Sequence, residues 1–199
     1  MVATLSKPAA TDRRATILAE ATAIVGERGY NGFGLQELAQ RCDLTKAGLL
    51  HHFGSKEQLL IAVLRERDRQ DEIAVSAVSG IVAEDSDDLA TILASLRAIV
   101  ARNASRPEFV RLYAMLQAET LHPGHPAHAY FDRREAATLA MFAQMLAPHV
   151  AQPVSVARQV KALMVGLELQ WLREGQAFDL VREWGRGIAV LLPAQAAAD

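Results

Sequence analysis

The sequence predicts an all-α chain in which an N-terminal three-helix helix-turn-helix head carries a longer helical body, about nine helices in all. Three observations predict it. Apolar residues recur at helical spacing along most of the 199 residues. No segment alternates apolar and polar residues between turn residues, as a strand would, and no internal repeat is present. Gly, Pro and Ser/Thr punctuate the ends of the helical segments.

The elements follow in order. Residues 1–10 read as a mobile tail. A first helix spans about Asp12 to Arg28, with Thr11 as N-cap and Gly29 as a left-handed C′ residue. Its stripe is Ile17, Leu18, Ala21, Ile24 and Val25. Tyr30 to Gly34 is a connector. Leu35–Cys42 is a short helix with Leu35, Leu38 and Ala39 inward, and Asp43-Leu44 ends it. Thr45 caps a third helix, Lys46–His52, which Gly54 stops. Ser55 and Gln58 stand at the N-cap and N3 positions of a capping box. It opens a long fourth helix through Leu59, Leu60, Val63 and Leu64 into the charged run Arg65–Glu72. Ser86 caps a helix over about Asp87–Asn103, and Pro107 opens the next, to about Leu121. Pro126 opens one to about Leu146. Val154–Arg173 and Asp179–Leu192 follow, with Gly175 between them, and the Ala-rich end after Pro193 frays.

Composition narrows the function. The chain is 51% apolar and 22% charged, as a globular protein is. No apolar run reaches the ~18 residues of a membrane span, and Met1–Ala10 lacks the pattern of a secretory signal. A single cysteine, Cys42, excludes an internal disulfide and a cysteine-rich zinc site. These features predict a cytoplasmic protein without a membrane partner. Residues 1–60 hold seven Lys/Arg against six Asp/Glu, and the remainder fourteen against seventeen. A slightly basic head on a slightly acidic body is compatible with local DNA contact and not with a chain that coats nucleic acid.

The head's chemistry is geometric. A major groove about 12 Å wide admits one helix, whose N-terminal residues reach base edges. Two helix N-termini, at Thr45 and Ser55, carry hydroxyls and are each followed by a lysine, Lys46 and Lys56. They suit two phosphate contacts flanking a reading helix. On spacing alone the same residues also suit plain caps beside solvated lysines. Phe53 belongs to the core of the head, and Cys42 is a half-buried bystander.

The stretch from Leu38 to Leu60 closely resembles the DNA-binding domain of the TetR family of bacterial transcription regulators. Leu38-Ala39 matches the family's aliphatic-Ala pair. Leu44-Thr45-Lys46 matches its aliphatic–Ser/Thr–basic turn. His52-Phe53-Gly54-Ser55-Lys56-Glu57-Gln58-Leu59 matches the aromatic end of its reading helix and the segment that follows, and Gly29-Tyr30 fits the end of its first helix. The match covers about residues 12–64. Three positions depart: Asp43 stands where Gly is usual, Gly34 where a Ser/Thr cap is usual, and Leu50 where a phosphate-binding Tyr is usual. The resemblance implies a head over residues 1–54 and an effector-binding and dimerisation body over residues 55–199. It implies Gln36, Thr45, Lys46, Ala47, Gly48, Leu50, His51, His52 and Lys56 as DNA-contacting positions on a pseudo-palindromic duplex. It also implies a homodimeric repressor released by a small molecule, with no cofactor.

The body's residues agree with that expectation. On Val154–Arg173, Val156, Val160, Leu163, Met164, Leu167 and Trp171 make one apolar face, and Ala157, Val165, Gly166 and Leu169 another. A helix apolar on two sides buries both, so Ala162, Gly166 and Leu169 are candidates for a subunit interface. Phe109, Tyr113, Met115, Leu116, Met141, Phe142, Met145, Met164, Glu168 and Trp171 are candidates for an effector pocket. A buried Glu168 needs a partner, with Arg111, a histidine or a cationic ligand available. His122, His125 and His128 lie in a Pro/Gly loop whose spacing matches no metal motif, and no metal is expected there. No phosphate loop, nucleophile elbow or zinc-protease helix motif is present, so no enzyme is expected. The competing class is an all-helical ligand-binding protein or enzyme with no DNA role.

Overall fold

The computed structural model describes residues 10–82 and 88–192, and among these it contains nine helices and no strand. The tail over residues 1–9, the Ser86 cap and the Ala-rich end after Pro193 lie outside the described residues. The helices are α1 (Ala10–Gly32), α2 (Leu35–Arg41), α3 (Lys46–Phe53), α4 (Lys56–Val82), α5 (Leu89–Ala104), α6 (Pro107–Glu119), α7 (His128–Leu146), α8 (Pro153–Arg173) and α9 (Leu180–Leu191).

The stripe expected on α1 is buried throughout. Two details of this helix differ from expectation. It begins at Ala10, so Thr11 lies inside it and is not its cap. Gly29, at φ 69° and ψ 179°, is not in the left-handed helical region. It occupies a region open essentially to glycine alone, and one more helical turn, to Gly32, follows the break.

In the head, Leu38 and Ala39 of α2 and Leu49 and Phe53 of α3 are buried. Thr45 caps α3 as expected, its hydroxyl accepting from Gly48 N at 3.0 Å. Asp43 has a φ of 53°, so the backbone there still demands the conformation that glycine serves best. Half of the Ser55 capping box forms: Ser55 Oγ accepts from Gln58 N at 3.1 Å. Ser55 N donates to Phe53 O at 2.9 Å instead of to Gln58.

Two apolar clusters hold the molecule. The first joins α1 to α4 with Leu112 and Leu116 of α6 and with Ala127 and Phe131 around the start of α7. The second joins α5, the end of α7, α8 and α9 around Phe142, Met164, Trp171 and Trp184. Buried hydrocarbon is the main source of stability in both. Beyond α1, helix ends lie within two residues of the sequence expectation. Pro107 opens α6, which stops at Glu119, and α7 starts at His128 because residues 120–127 form turns. Asp179 proves to be the N-cap of α9, accepting from Arg182 N at 3.0 Å. Gly187 lets α8 and α9 approach closely, since a Cβ there would come within 2.8 Å of Leu163.

Candidate nucleic-acid interface and ligand chamber

At the head's tip, α2 and α3 present Gln36, Thr45, Lys46, Ala47, His51 and His52 to solvent. Gly48 and Leu50 are half-buried beside them, because Leu49 and Phe53 turn the opposite side of α3 into the core. Gly48 has an additional role in the fold: a Cβ there would approach the capping Thr45 hydroxyl to 3.3 Å. The two histidine rings meet edge to face at 6.1 Å.

Lys56 departs from its expected pose as an outward phosphate contact. Its ammonium sits over the Tyr30 ring at 4.3 Å and the Phe33 ring at 5.3 Å. Burial holds its pKa below the ordinary lysine value. Ring faces attract cations, so this lysine also closes the corner between α1 and α4. Cys42 packs against the first cluster, and burial pushes its thiol pKa up. A thiol held protonated is a poor nucleophile.

A cleft of about 660 Å³ opens between α1, α3 and α4, bordered by Arg14, His52, Phe53, Glu57, Gln58, Ile61, Ala62, Arg65, Glu66 and Arg69. Arg69 holds the Glu66 carboxylate down to a pKa of about 2. None of the residues expected to line an effector pocket borders this cleft.

Those residues divide between the two clusters. Phe109, Tyr113 and Leu116 belong with the first, while Met145, Phe142, Met164 and Trp171 belong with the second. Met115 and Met141 lie at the surface. What bridges the clusters is a polar network that the sequence reading largely missed. Arg67 of α4 is buried, with its guanidinium 3.7 Å from the centroid of the Tyr113 ring. Arg134 of α7 lies 4.8 Å from the same ring. Asp68 accepts from Arg134 Nε at 3.1 Å and from the Tyr130 hydroxyl, whose pKa burial drives up. Glu168 of α8 accepts from Asn103 Nδ2 at 2.6 Å, so its partner is Asn103 and not the exposed Arg111. Burial raises the Glu168 pKa, while Arg67 opposes that rise. Arg67 thus stacks on Tyr113 within electrostatic reach of Glu168. One sequence signal pointed at it: Arg67 falls seven residues after Leu60 and three after Leu64, on the buried stripe of α4.

The histidine loop is braced by its own imidazoles. His122 Nδ1 accepts from Gly124 N and His125 Nδ1 from Ala127 N, each at 3.1 Å. His128 Nδ1 meets Thr120 O at 2.7 Å. No group of side chains arranged to hold a metal ion occurs among the described residues. On the outer face of α8, Ala162 and Leu169 are exposed, and a Cβ on Gly166 would meet nothing within 4 Å. That face has no packing partner among the described residues.

Residues 17–63 match the family model for bacterial regulatory proteins of the tetR family, the same helices that build the head. Over these residues the head is similar to the DNA-binding domain of that family. The transcriptional activator FasR of Mycolicibacterium smegmatis is 32% identical over 87 residues, which cover 44% of this chain and 38% of FasR. The transcriptional repressor AcnR of Corynebacterium efficiens is 37% identical over 65 residues, 33% of this chain and 34% of AcnR. The matched segments thus span well under half of these relatives. The crystal structure of AibR in complex with isovaleryl coenzyme A and operator DNA superposes with a TM-score of 0.66 at 23% identity. That superposition covers 91% of this chain and 98% of AibR, so the two share a fold over the body as well as the head. No described helix is long and apolar enough to cross a membrane.

Proposed function

We propose that the chain is a homodimeric, sequence-specific DNA-binding regulator, a repressor that a small molecule releases, acting in the cytoplasm and without enzymatic activity. The observation that supports it most directly is the family match over residues 17–63, on a head whose exposed tip carries Thr45, Lys46, Ala47 and His51. In this reading residues 1–54 read DNA. Thr45 and His51 reach base edges, Ala47 and Gly48 admit the groove wall, and Lys46 meets a phosphate. Gln36, Leu50, His52 and Lys56 flank the contact. The free face of α8 at Ala162, Gly166 and Leu169 pairs with a second copy, and two-fold symmetry makes the operator a pseudo-palindrome.

Residues 55–199 bind the effector. The chamber centres on Tyr113 and Glu168, joined by Arg67, with Phe109 and Leu116 on one side and Met145, Met164 and Trp171 on the other. Met141, at the surface, lies outside it. A few polar groups within apolar walls are what a small-molecule site requires. AibR, whose structure holds both an acyl-coenzyme A and operator DNA, makes acyl thioesters the first class to screen by thermal shift.

Selection of bound duplexes from a random pool tests the DNA role. The expected product is a pseudo-palindrome with half-sites about 34–36 Å apart, or a longer multiple of a turn. Failure to enrich any sequence over a non-specific duplex would leave a helical ligand-binding protein with no DNA role.

A further inference from the structure

The head is attached to the body twice. One attachment is covalent: α4 starts beside the reading helix and runs into the body. The other is the crossing of α1 over α6. At Gly26 the backbones approach so closely that a Cβ would lie 3.2 Å from Leu112 N. At Gly29 a Cβ would overlap the carboxylate of Glu119, the last residue of α6.

The carboxylate fills that space for a reason. Glu119 Oε2 accepts from Tyr30 N at 2.8 Å, a bond between residues 89 positions apart. Tyr30 is itself a junction. Its ring lies in a T-shaped contact with His125, centroids 5.1 Å apart, and carries the Lys56 ammonium on its face. Its hydroxyl donates to Glu57 Oε1 at 2.9 Å, and burial together with Glu57 pushes the phenol pKa up to about 12. Lys56 and Glu57 form the first turn of α4, three residues beyond the end of α3. A continuous line of contacts therefore runs from the tip of α6 through Tyr30 to the end of the reading helix. The same α6 carries Tyr113, under the Arg67 and Arg134 guanidiniums, six residues earlier.

A head held by one helix can still turn about that helix. A second point of attachment fixes its orientation. We infer that Glu119 is a positioning residue: by gripping the Tyr30 amide, it sets the angle of the DNA-reading head against the body. An effector that shifts α6 reaches the reading helix through it. This rests on the regulator reading above, and it assigns the coupling to a specific carboxylate and amide. A conformational preference is transmitted only through a contact that differs between the two states, and a hydrogen bond at a glycine-only turn has little room to adapt.

The test measures orientation with and without DNA. Spin labels at Gln40→Cys on α2 and Gln144→Cys on α7, both exposed positions, report the head-to-body distance in a Cys42→Ser background diluted with unlabelled chain. The Glu119 parent is expected to give one narrow distribution. Glu119→Gln keeps an acceptor for Tyr30 N and is expected to preserve it. Glu119→Ala is expected to broaden it. Glu119→Asp, one methylene shorter, is expected to do the same with less risk to folding, and to speed hydrogen exchange at the Tyr30 amide about tenfold or more. On duplexes selected by the wild type, Glu119→Ala should bind a single half-site within about threefold of wild type. It should lose most of the discrimination against spacings changed by one base pair, within the 5–150-fold range usual for coupling. A purely structural role would lower melting temperature and weaken every duplex equally. Unchanged distance distributions in both Glu119→Ala and Glu119→Asp overturn the inference even if the protein binds DNA. Broadened distributions in a protein that selects no DNA keep the positioning role and remove the regulator reading.

Discussion

The head and the body bury different things. In the head, groups proposed to act stand in water at Thr45, Lys46 and His51, over an apolar core that includes Ile17, Ile24, Leu38, Leu49 and Leu60. In the body, the polar groups at and around the proposed site are inside: Arg67 is buried, and the half-buried Asp68, Tyr113, Tyr130, Arg134 and Glu168 are satisfied by one another and by Asn103. A polar group left in water costs the fold nothing. One taken inside must find partners with good geometry. At Lys46 and His51 the head therefore separates stability from recognition, with Thr45 and Lys56 serving both, whereas the body makes the two depend on the same side chains throughout.

The largest expected effect breaks that comparison if it is wrong. Arg67→Ala should remove about 3 kcal/mol of stability in urea unfolding, because the Tyr113 ring and Glu168 lose the cation that faces them in a buried setting. Lys46→Ala should leave unfolding unchanged within about 0.5 kcal/mol, since Lys46 is exposed. Equal losses from the two variants would erase the distinction between the regions.

Next in size is the effect of Lys46→Ala on DNA. A phosphate contact releases about one counterion, so the variant should bind every duplex more weakly and lower the salt slope by about 1. A changed base preference with an unchanged slope would move Lys46 from phosphate to base contact. Lys56→Ala sharpens the point, because its ammonium packs on Tyr30 and Phe33. This variant should lower the melting temperature as well as DNA affinity, unlike Lys46→Ala.

The pH dependence of stability separates two buried groups of the body. Burial raises the Glu168 pKa, so the native state binds a proton that the unfolded state has released. Stability should therefore rise as pH falls from Glu168's raised value toward the ordinary glutamate range, about 4.3. Glu168→Gln should remove this slope. His125 works in the opposite sense. Burial lowers its pKa, although Glu119 pulls it up. Its contribution is present above the ordinary histidine value, about 6.5, and is lost as pH falls toward its lowered value. His125→Gln should flatten that loss. Urea unfolding at several pH values checks both signs, and matching slopes from the two variants would contradict the assigned causes.

How much of each region was legible follows from the range of its interactions. The head is written in local signals. Thr45 caps its own helix three residues on, Gly54 takes a positive φ beside it, and the α1 stripe repeats at helical spacing. Each of these is visible within a few residues of sequence. The resemblance over residues 12–64 rests on the same local features. The body's polar network is written in contacts across five helices. Asn103 and Glu168 meet over 65 positions, and Tyr130 and Asp68 over 62. No local pattern announces such pairs. Met141 was nonetheless decidable: Leu139, Phe142 and Leu146 turn inward at helical spacing, which rotates Met141 toward solvent. Glu119 was not decidable, because its partner is a backbone amide at the far end of another helix.

The smallest effects come from backbone strain, and here too the two regions should differ. Asp43 in the turn between α2 and α3 has a φ of 53°, and Gln176 in the turn between α8 and α9 has a φ of 67°. A residue with a Cβ is disfavoured there by roughly 1–2 kcal/mol, and replacement by glycine removes that cost while adding about 0.5–1 kcal/mol of unfolded-state entropy. Aspartate visits this region more readily than glutamine does, so less strain is stored at Asp43. Gln176 also donates its amide to Trp171 O at 2.7 Å, a bond that a glycine preserves because it uses backbone alone. Gln176→Gly should therefore stabilise the protein by about 0.5–1 kcal/mol, a rise of roughly 1–4 °C in Tm for a chain of this size. Asp43→Gly should give less than half of that. An Asp43→Gly gain equal to or above that of Gln176→Gly would show that the head's turn stores at least as much strain as the body's.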